Sequence, residues 1–358
     1  MRFQRVQKTI LWQAGFALAA MSLFGIQMAA GQPGRSTLVM TSTNDSSSNA
    51  VAVFRLDTTG TPSLALSQVV PTGGKGGAGG NAGILQFSDK RGAVANYGSN
   101  TVTQLMRHGN AIAAEKTIAL ASDCVGPDSV ALTQDHLFVV GAACAESHDW
   151  PSGRLDGNVV SLADNSAGQI VVGRTWAAVT MKSGSVLQLG LGGDGALSGV
   201  SGTIALPGDA DNTPLGAAFW GNVLGFTPAH SPDSFAIVDE SQDVFPIAGP
   251  TPPYPSNAPC WVAKGPHSIW YTANSPGHAV SIFFSDAQGG AFYKSVPVAG
   301  TPTDISVSPD QNWLAVIYAA ADGAHVAIFS IDRYGDLTLA ATSAAIGVSS
   351  FNGVAFSE

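Results

Sequence analysis

The stretch 307–317 reads VSPDQNWLAVI, in which two apolar runs flank the polar turn Ser-Pro-Asp-Gln. A sharp polar break between two short apolar runs predicts a β-hairpin. Only 11% of the 358 residues are charged, whereas 42 are Gly and 20 are Pro. Because Gly and Pro both disfavour long helices, the composition favours many short strands joined by turns.

The hairpin recurs along the chain at nearly constant intervals. Its turn residues, spaced 45, 40, 47, 45, 43 and 49 residues apart, are Ser88, Thr133, Gly173, Trp220, Gly265, Ser308 and Ser357. A repeat of this length is typical of propeller blades or solenoid units.

Each repeat is interpreted as four strands, which in the last complete copy are TDISVS, NWLAVIY, HVAIFSID and DLTLAAT. In the third repeat, GNVVSLA (157–163) is assigned to the third strand. The segment STLVMTSTN, from residue 36, matches a second strand, and the C-terminal NGVAFSE matches a first strand. The C-terminal strand is therefore predicted to complete the first blade and close the ring, which removes exposed sheet edges.

We predict an all-β fold, a seven-bladed β-propeller of four-stranded antiparallel blades, over residues 32–358. A pair of open β-sandwiches is the alternative, which the single regular period disfavours.

Residues 1–31 are set apart from this domain. A start with three Lys or Arg residues precedes a largely apolar run (9–26) and small residues at 29–31. This order is typical of a secretory signal peptide. An uncleaved membrane anchor is the alternative, because the apolar run is slightly long. We expect cleavage near residues 29–32 and a secreted protein, extracellular or periplasmic, that has no membrane segment after cleavage.

The charge and motifs restrict the partners. The net charge is −9, without the basic patch of a nucleic-acid-binding protein, so we expect no nucleic acid. GKGGAG (74–79) matches G-x-G-x-x-G, but it leads into a strand, whereas a dinucleotide site needs a helix N-terminus. We therefore expect this segment to be a flexible connection over the channel mouth. We expect no cofactor, and a monomer.

Three segments carry a family resemblance: 43–80, which begins TNDSSSNAVAVFRLD and ends PTGGKGGAGG; 258–265, APCWVAKG; and 308–340, SPDQNWLAVIYAAADGAHVAIFSIDRYGDLTLA. They resemble the secreted lactonase-type seven-bladed propellers, a family that includes 6-phosphogluconolactonase and 3-carboxymuconate cyclase. The resemblance covers nearly all of the chain after the signal peptide. It implies the propeller fold and, in the lactone-forming and lactone-hydrolysing members, His, Arg and Glu near the channel mouth.

Several of those family residues stand at the start of a first strand. The matching positions here, five and four before each turn residue, are Gly83-Ile84, Asp128-Ser129, Gly168-Gln169, Leu215-Gly216, Cys260-Trp261, Thr303-Asp304 and Asn352-Gly353. None is His or Arg. Our candidate ligand-binding residues at these positions are Asp128, Cys260, Trp261 and Asp304. Trp261 would offer a stacking surface for a sugar or ring, or else pack between blades.

One face of a propeller carries the loops from second to third strands and from each blade to the next; we call it the top face. The central channel is expected to open there, which makes it the default ligand site. The loop 142–157 is assigned to this face. Its Glu146, His148 and Asp149 are candidate catalytic groups, because opening a lactone needs a base that activates water. The alternative is a solvated loop.

Four groups on nearby top loops, Asp209, Asp211, His230 and Asp233, have the oxygen and nitrogen atoms that a hard cation binds. Spacing alone does not define such a site, and we expect no bound metal.

The chain has three Cys residues. Cys124 precedes the first strand of the third blade, and Cys144 follows its second strand. Because these strands are antiparallel neighbours, both residues reach the top face, and export permits oxidation. We predict a Cys124–Cys144 disulfide that braces the base of the 142–157 loop, with Cys260 as a free thiol.

Two functions follow from these patterns. The first is a binding or scaffold propeller that takes a small molecule, a glycan or a protein on its top face. The second is a lactone hydrolase or cyclising enzyme with an acid–base pair at the channel mouth. The absence of His and Arg at the matching positions favours the binding protein.

Overall fold

Seven four-stranded antiparallel sheets form the ring that the repeats predict. The computed structural model describes residues 36–358, apart from 209–211, 232, 240, 251–256, 287 and 348–349. Within these residues the fold is a seven-bladed β-propeller, as predicted. The predicted signal peptide (1–31) lies outside the described residues.

The first blade contains β28 (Asn352–Ser357), β1 (Thr37–Ser42), β2 (Ala50–Asp57) and β3 (Ser63–Pro71), from the centre outwards. The other six blades, in the same order, are β4 (Leu85–Ser88), β5 (Arg91–Asn96), β6 (Thr101–His108) and β7 (Ala111–Ala119); β8 (Ser129–Leu132), β9 (His136–Gly141), β10 (Cys144–Asp149) and β11 (Leu155–Ser161); β12 (Ala167–Val172), β13 (Trp176–Met181), β14 (Ser185–Leu191) and β15 (Leu197–Ile204); β16 (Pro214–Trp220), β17 (Val223–Pro228), β18 (Asp233–Val238) and β19 (Val244–Ala248); β20 (Pro259–Lys264), β21 (Ile269–Asn274), β22 (Ala279–Asp286) and β23 (Gly289–Pro297); β24 (Thr301–Val307), β25 (Trp313–Ala320), β26 (Gly323–Ile331) and β27 (Leu337–Thr342).

A 3₁₀ turn, Tyr97–Ser99, lies between β5 and β6. No helix among the described residues has the length and apolar character that crossing a bilayer requires.

The turn at 308–312 shows why the repeated hairpin forms. The Asp310 carboxylate accepts from the Ser308 hydroxyl at 2.6 Å and from the Asn312 backbone N–H at 3.0 Å. The Ser308 hydroxyl in turn accepts from the Trp313 N–H at 2.9 Å, where β25 begins. Side chains thus satisfy the backbone donors that the turn leaves unpaired, as Ser and Asp commonly do.

The hydrophobic core lies between adjacent blades. The third strands are buried on both faces, whereas the outermost strands alternate, so β23 exposes about every second residue. Between the seventh and first blades, Ile317 and Val326 pack with Val39, Phe54 and Phe356 in one cluster. Burial of apolar surface between blades is therefore the main force that holds the ring together.

The ring is closed by the C-terminal strand, as predicted. β28 pairs antiparallel with β1, with Leu38 opposite Ser357. The Arg107 guanidinium of the second blade donates to the carbonyl of Ser357, and the Ser357 hydroxyl donates to the Asp89 carbonyl at 2.7 Å. The neighbouring blade therefore clamps the end of the closing strand.

The strand assignment of the third blade was wrong in one place. Its third strand is β10, whose sequence is CAESHD, and GNVV belongs to the fourth strand, β11. The expected 142–157 loop is therefore a strand with flanking turns. The sequence pattern did not indicate a strand at 144–149, because Glu146 and His148 are polar residues at buried strand positions.

The predicted disulfide joins Cys124 to Cys144, with the Cα atoms 5.3 Å apart, and Cys260 is a free thiol. Cys144 is the first residue of β10, so the bridge ties the start of that strand to the connection between the second and third blades. Closing a loop with a sequence separation of 20 residues contributes about 3 kcal/mol to stability.

Candidate functional site

Residues 80–83, in the connection from β3 to β4, cross the centre of the ring; we call them the crossing segment. The Asn81 side chain donates through Nδ2 to the Asp128 carbonyl and accepts at Oδ1 from Asn352 Nδ2 at 2.8 Å. The Asn81 carbonyl accepts from the Trp261 indole N–H at 3.0 Å. These three partners belong to the third, first and sixth blades, so the fully buried Asn81 links blades across the channel.

The rest of the crossing segment is equally fixed. The Ala82 N–H donates to the Gly168 carbonyl at 3.2 Å, and the Gly83 carbonyl accepts from the Val130 N–H at 2.9 Å. Gly83 has a φ of +71°, and a Cβ there would lie 2.9 Å from the amide nitrogen of Gln169. Only glycine therefore suits this position.

The crossing segment separates two cavities. Above it, a basin of about 590 Å³ lies among the top-face loops. Below it, a channel of about 320 Å³ is closed at its inner end by Ala82 and Gly83. The channel lining becomes more exposed toward the tight turns, at Val172, Phe219 and Val307, so the channel opens on the bottom face. The expectation that the channel opens on the top face was wrong, because a chain segment blocks it there.

The basin has a mixed polar and apolar, mostly uncharged lining. It consists of residues 44–46, 77–78, 80 and 350–352, together with the inner-strand residues Leu215, Cys260, Trp261 and Thr303. Amides and hydroxyls lie beside apolar groups, among them the side chains of Leu215, Trp261 and Phe351. Asp45 is the one charged residue among the described lining residues, which include no Lys, Arg or His.

The Gly-rich motif at 74–79 forms one wall of the basin. The Asn44 side-chain oxygen accepts from the N–H groups of Gly77 (2.8 Å) and Ala78 (3.1 Å), and its Nδ2 donates to the Ala78 carbonyl at 2.8 Å. A Cβ on Gly76 would fall 2.3 Å from the Asn44 backbone. The glycines thus permit close packing of two top-face loops, and the connection leads into strand β4.

Asp45 gives the basin rim its negative charge. Its Oδ1 accepts from the N–H and hydroxyl of Ser47, both at 2.6 Å, and from the Ser48 N–H at 3.2 Å. Hydrogen bonds from Ser47 and Ser48 hold the pKa of the Asp45 carboxyl below its ordinary value. The carboxylate is therefore ionised at neutral pH and disfavours anionic ligands.

Of the four candidate ligand-binding residues, Cys260 and Trp261 line the basin, Trp261 and Asp304 line the channel, and Asp128 lines neither. Trp261 also belongs to the core between the sixth and seventh blades, so it both packs and lines a cavity. Burial raises the pKa of the Cys260 thiol to about 12. This thiol is therefore neutral at physiological pH and a poor nucleophile.

Asp304 lies at the inner end of the channel. Its carboxylate accepts from the backbone N–H of Ile305 at 2.7 Å and from those of Val354 and Gly83. Burial outweighs these hydrogen bonds and raises the pKa of Asp304 to about 7. The group therefore changes charge near neutral pH.

Asp128 is a second buried carboxyl, beside the crossing segment. Burial raises the pKa of Asp128 to about 6, opposed by the positive charge of Lys182. Among the described residues its Oδ1 has no hydrogen-bond partner. The carboxyl lies outside both cavities, so we assign its carbonyl, which binds Asn81, a positioning role.

The three candidate catalytic residues do not meet at the channel mouth. Glu146 and His148 lie in β10 and are 0% and 2% exposed. Glu146 Oε1 is 2.8 Å from His148 Nε2, and Glu146 Oε2 accepts from the Ala121 N–H at 3.1 Å. Asp149 ends β10 at the bottom face, where it accepts from the Ser152 hydroxyl. Their expected place in a top-face loop was wrong, and none of them lines either cavity.

The four groups considered for a cation are only partly described. Asp209 and Asp211 lie outside the described residues, as does the Asp233 side chain. His230 Nδ1 is 3.1 Å from the Thr213 hydroxyl. The described residues contain no group of three or more His, Cys, Asp or Glu arranged to bind a metal ion.

Sequence reasoning missed Asn81 of the crossing segment and Gln86 of β4, which lines the channel. Asn81 belongs to no motif, although it is the one large side chain in the Gly- and Ala-rich stretch 76–83. Gln169 and Asn352 stand at two of the positions before a turn residue but were not chosen as candidates. Gln169 accepts from the Ala217 N–H of the next blade, and Asn352 donates to Asn81 in the crossing segment.

Comparisons with known proteins identify the fold. No family model and no curated protein matches the sequence. Among solved structures, the periplasmic gluconolactonase of Pseudomonas aeruginosa has a TM-score of 0.65 at 15% identity, covering 90% of this chain and 98% of that chain. A Lactobacillus plantarum protein has a TM-score of 0.65 at 14% identity, covering 90% and 99%. A putative 6-phosphogluconolactonase of Bacteroides uniformis has a TM-score of 0.53 at 16% identity, covering 70% and 82%.

The chain therefore has the fold of the lactonase-like seven-bladed propellers that its sequence resembles. At these identities the likeness concerns the fold, and one fold carries many functions. The function must be argued from the two cavities.

Proposed function

We propose that this protein is an exported binding propeller whose basin takes a neutral, hydroxyl-rich small molecule of the sugar or sugar-lactone class. The observation that carries this proposal is the basin lining, in which amides, hydroxyls and two aromatic rings occur without a described basic residue. Sugar hydroxyls need such donors and acceptors, and sugar rings contact aromatic faces. A phosphate or carboxylate would meet the Asp45 carboxylate, whereas the Lys182 ammonium group at the basin edge is engaged by the Gly80 carbonyl at 2.9 Å.

Export is part of the same proposal. The Cys124–Cys144 disulfide supports an oxidising compartment, because disulfides persist outside the cytosol. We expect exported material to begin near residues 29–32, measured by intact mass. Recovery of membrane-bound protein that retains Met1 would favour the anchor instead.

We expect Ser46→Trp to weaken ligand binding at least tenfold, because Ser46 is an exposed basin residue and an indole there would fill the rim. Titration calorimetry with neutral monosaccharides, disaccharides and aldonolactones measures the effect. Ser48→Trp is the matched control, since Ser48 is exposed on the same loop but does not line the basin. Tighter binding of a phosphorylated sugar, or unchanged binding by Ser46→Trp, would contradict the proposal.

Lactone hydrolysis is the second candidate, and one observation favours it. Asp304 is a buried carboxyl with a pKa of about 7, the range in which a general base works best. It would take a proton from the water that adds to the lactone carbonyl. No described Lys, Arg or His lies at the inner end of the channel to stabilise the oxyanion. We therefore expect negligible turnover of 6-phosphogluconolactone; turnover of a neutral lactone that Asp304→Asn abolishes would establish this candidate.

A further inference from the structure

The channel is a second cavity, separate from the basin and open on the opposite face. At about 320 Å³ it lies at the lower end of the range of small-molecule sites. Its walls are the first strands of the second to seventh blades, each of which pairs with only one neighbouring strand. Backbone N–H and C=O groups on the free edges of these strands therefore face the channel.

Four polar side chains meet at the inner end, around Gly83. A Cβ placed on Gly83 would lie 2.9 Å from both Gln169 Nε2 and Ser129 Oγ and 3.3 Å from Gln86 Nε2, so the two amide nitrogens face one point. The Ser129 hydroxyl is already engaged, because it donates to the Gly83 carbonyl and accepts from the Ile170 N–H, both at 3.3 Å. The Gly83 N–H donates to the Asp304 carboxylate, which brings that group to the same point. The inner end thus offers two NH₂ donors and one carboxylate acceptor.

The two amide groups have hydrogen-bonding capacity that the described residues do not use. Gln169 Oε1 accepts from the Ala217 N–H at 2.6 Å, which orients the side chain and leaves its NH₂ group directed toward Gly83. Within the described part of the chain, the Gln86 side chain makes no hydrogen bond to another residue. Donors that face a cavity in this way are satisfied by water or by ligand oxygens.

The mouth of the channel carries a positive charge that is already engaged. The Lys264 ammonium group donates to the carbonyls of Gly265 and His267 and lies over the rings of Trp220 and Trp270, at 4.9 and 5.3 Å. It is held at the bottom end of β20 and does not balance a charge at the inner end. A neutral ligand therefore suits the channel better than an anion.

We propose that the channel is a second binding site, for a small neutral polyol no larger than a monosaccharide, which enters from the bottom face. The Gln86 and Gln169 amides donate to its oxygens, and the Asp304 carboxylate accepts from one of its hydroxyls. Because the crossing segment lies between the cavities, a ligand in the channel does not reach the basin.

The test measures, by titration calorimetry, the binding of glycerol, erythritol and glucose to the whole exported protein. Gln86→Leu should weaken channel binding about tenfold, because one donor to the ligand is lost. The melting temperature should not change, since Gln86 has no protein partner among the described residues. Ser46→Trp, which fills the basin, should leave channel binding unchanged and so separates this proposal from the proposed function.

A crystal structure of the wild-type protein with the same polyol locates it independently of either variant. Density beside Gln86 and Gln169, together with the tenfold loss in Gln86→Leu, supports the proposal. Binding only in the basin, no detectable binding of any of the three polyols, or equal binding by wild type and Gln86→Leu overturns it.

Discussion

Replacing Glu146 with alanine should lower the free energy of unfolding by about 3–5 kcal/mol. Glu146 is 0% exposed and His148 only 2%, and their side chains are 2.8 Å apart. The substitution leaves the His148 ring without its partner between two blades, and the Ala121 N–H loses its acceptor. Unpaired groups cannot regain their hydrogen bonds from water in such a place. Guanidinium unfolding at pH 7 measures the loss.

Glu115→Ala is the matched control. Glu115 pairs with His108 at the same 2.8 Å separation, but both side chains are largely exposed, at 46% and 62%. Solvent screens such a pair, so its loss should cost less than about 1 kcal/mol. Equal losses in the two variants would show that burial does not determine the strength of the Glu146 pair.

The stability of the wild-type protein should fall as the pH rises from 5 to 8, and Asp304→Asn should flatten this slope. The pKa of Asp304 is about 7 in the folded chain, against an ordinary value of 3.8. Between these values the folded chain keeps a proton that the unfolded chain has released, so stability is lost as the pH rises through this window. From pH 5 to 7 the loss is about 2 kcal/mol.

Guanidinium unfolding of both proteins at pH 5, 6, 7 and 8 tests this prediction. Asparagine keeps one oxygen that accepts from a backbone N–H, but it does not titrate. Asp128, with a pKa of about 6, contributes in the same direction at lower pH. His136 and His325 also contribute in this direction, because their hydrogen bonds outweigh burial and raise the pKa of each above its ordinary value. The part of the slope due to Asp304 is therefore the difference between wild type and Asp304→Asn. Asp45→Asn is the control, because the pKa of that exposed carboxyl is lowered and should not affect the slope. If the free energy of unfolding of Asp304→Asn fell with pH as steeply as that of the wild type, the assignment of the slope to Asp304 would be refuted.

The sequence was sufficient to predict the ring because its signals are local. Ser308 and Asp310 build their turn from residues within five positions. Short connections also join the first two strands in each of the other blades except the first, where β28 and β1 are far apart in sequence. The third strand of the third blade was misassigned for a related reason. Glu146 and His148 hydrogen-bond to each other across two positions of β10, and such a pair has the sequence pattern of a solvated loop.

Of the candidate site, the sequence predicted only the residues that occupy equivalent positions in the repeated blades. Cys260, Trp261 and Asp304 were found because each stands a fixed distance before a turn. Asn81 was not, because its role depends on Asn352, which is 271 residues away along the chain. A contact of that range leaves no periodic signal in one sequence.

The pairing of β28 with β1 determines the order in which the molecule can assemble. The Thr41 hydroxyl donates to the Gly353 carbonyl across 312 residues, and Arg107 holds Ser357 across 250. While the chain is still on the ribosome, the first blade lacks its innermost strand, β28. The ring of blades therefore cannot close at this stage. Contacts of such long range are among the slowest to form. The nascent chain therefore cannot complete its first blade, or the ring, until its last residues have been synthesised.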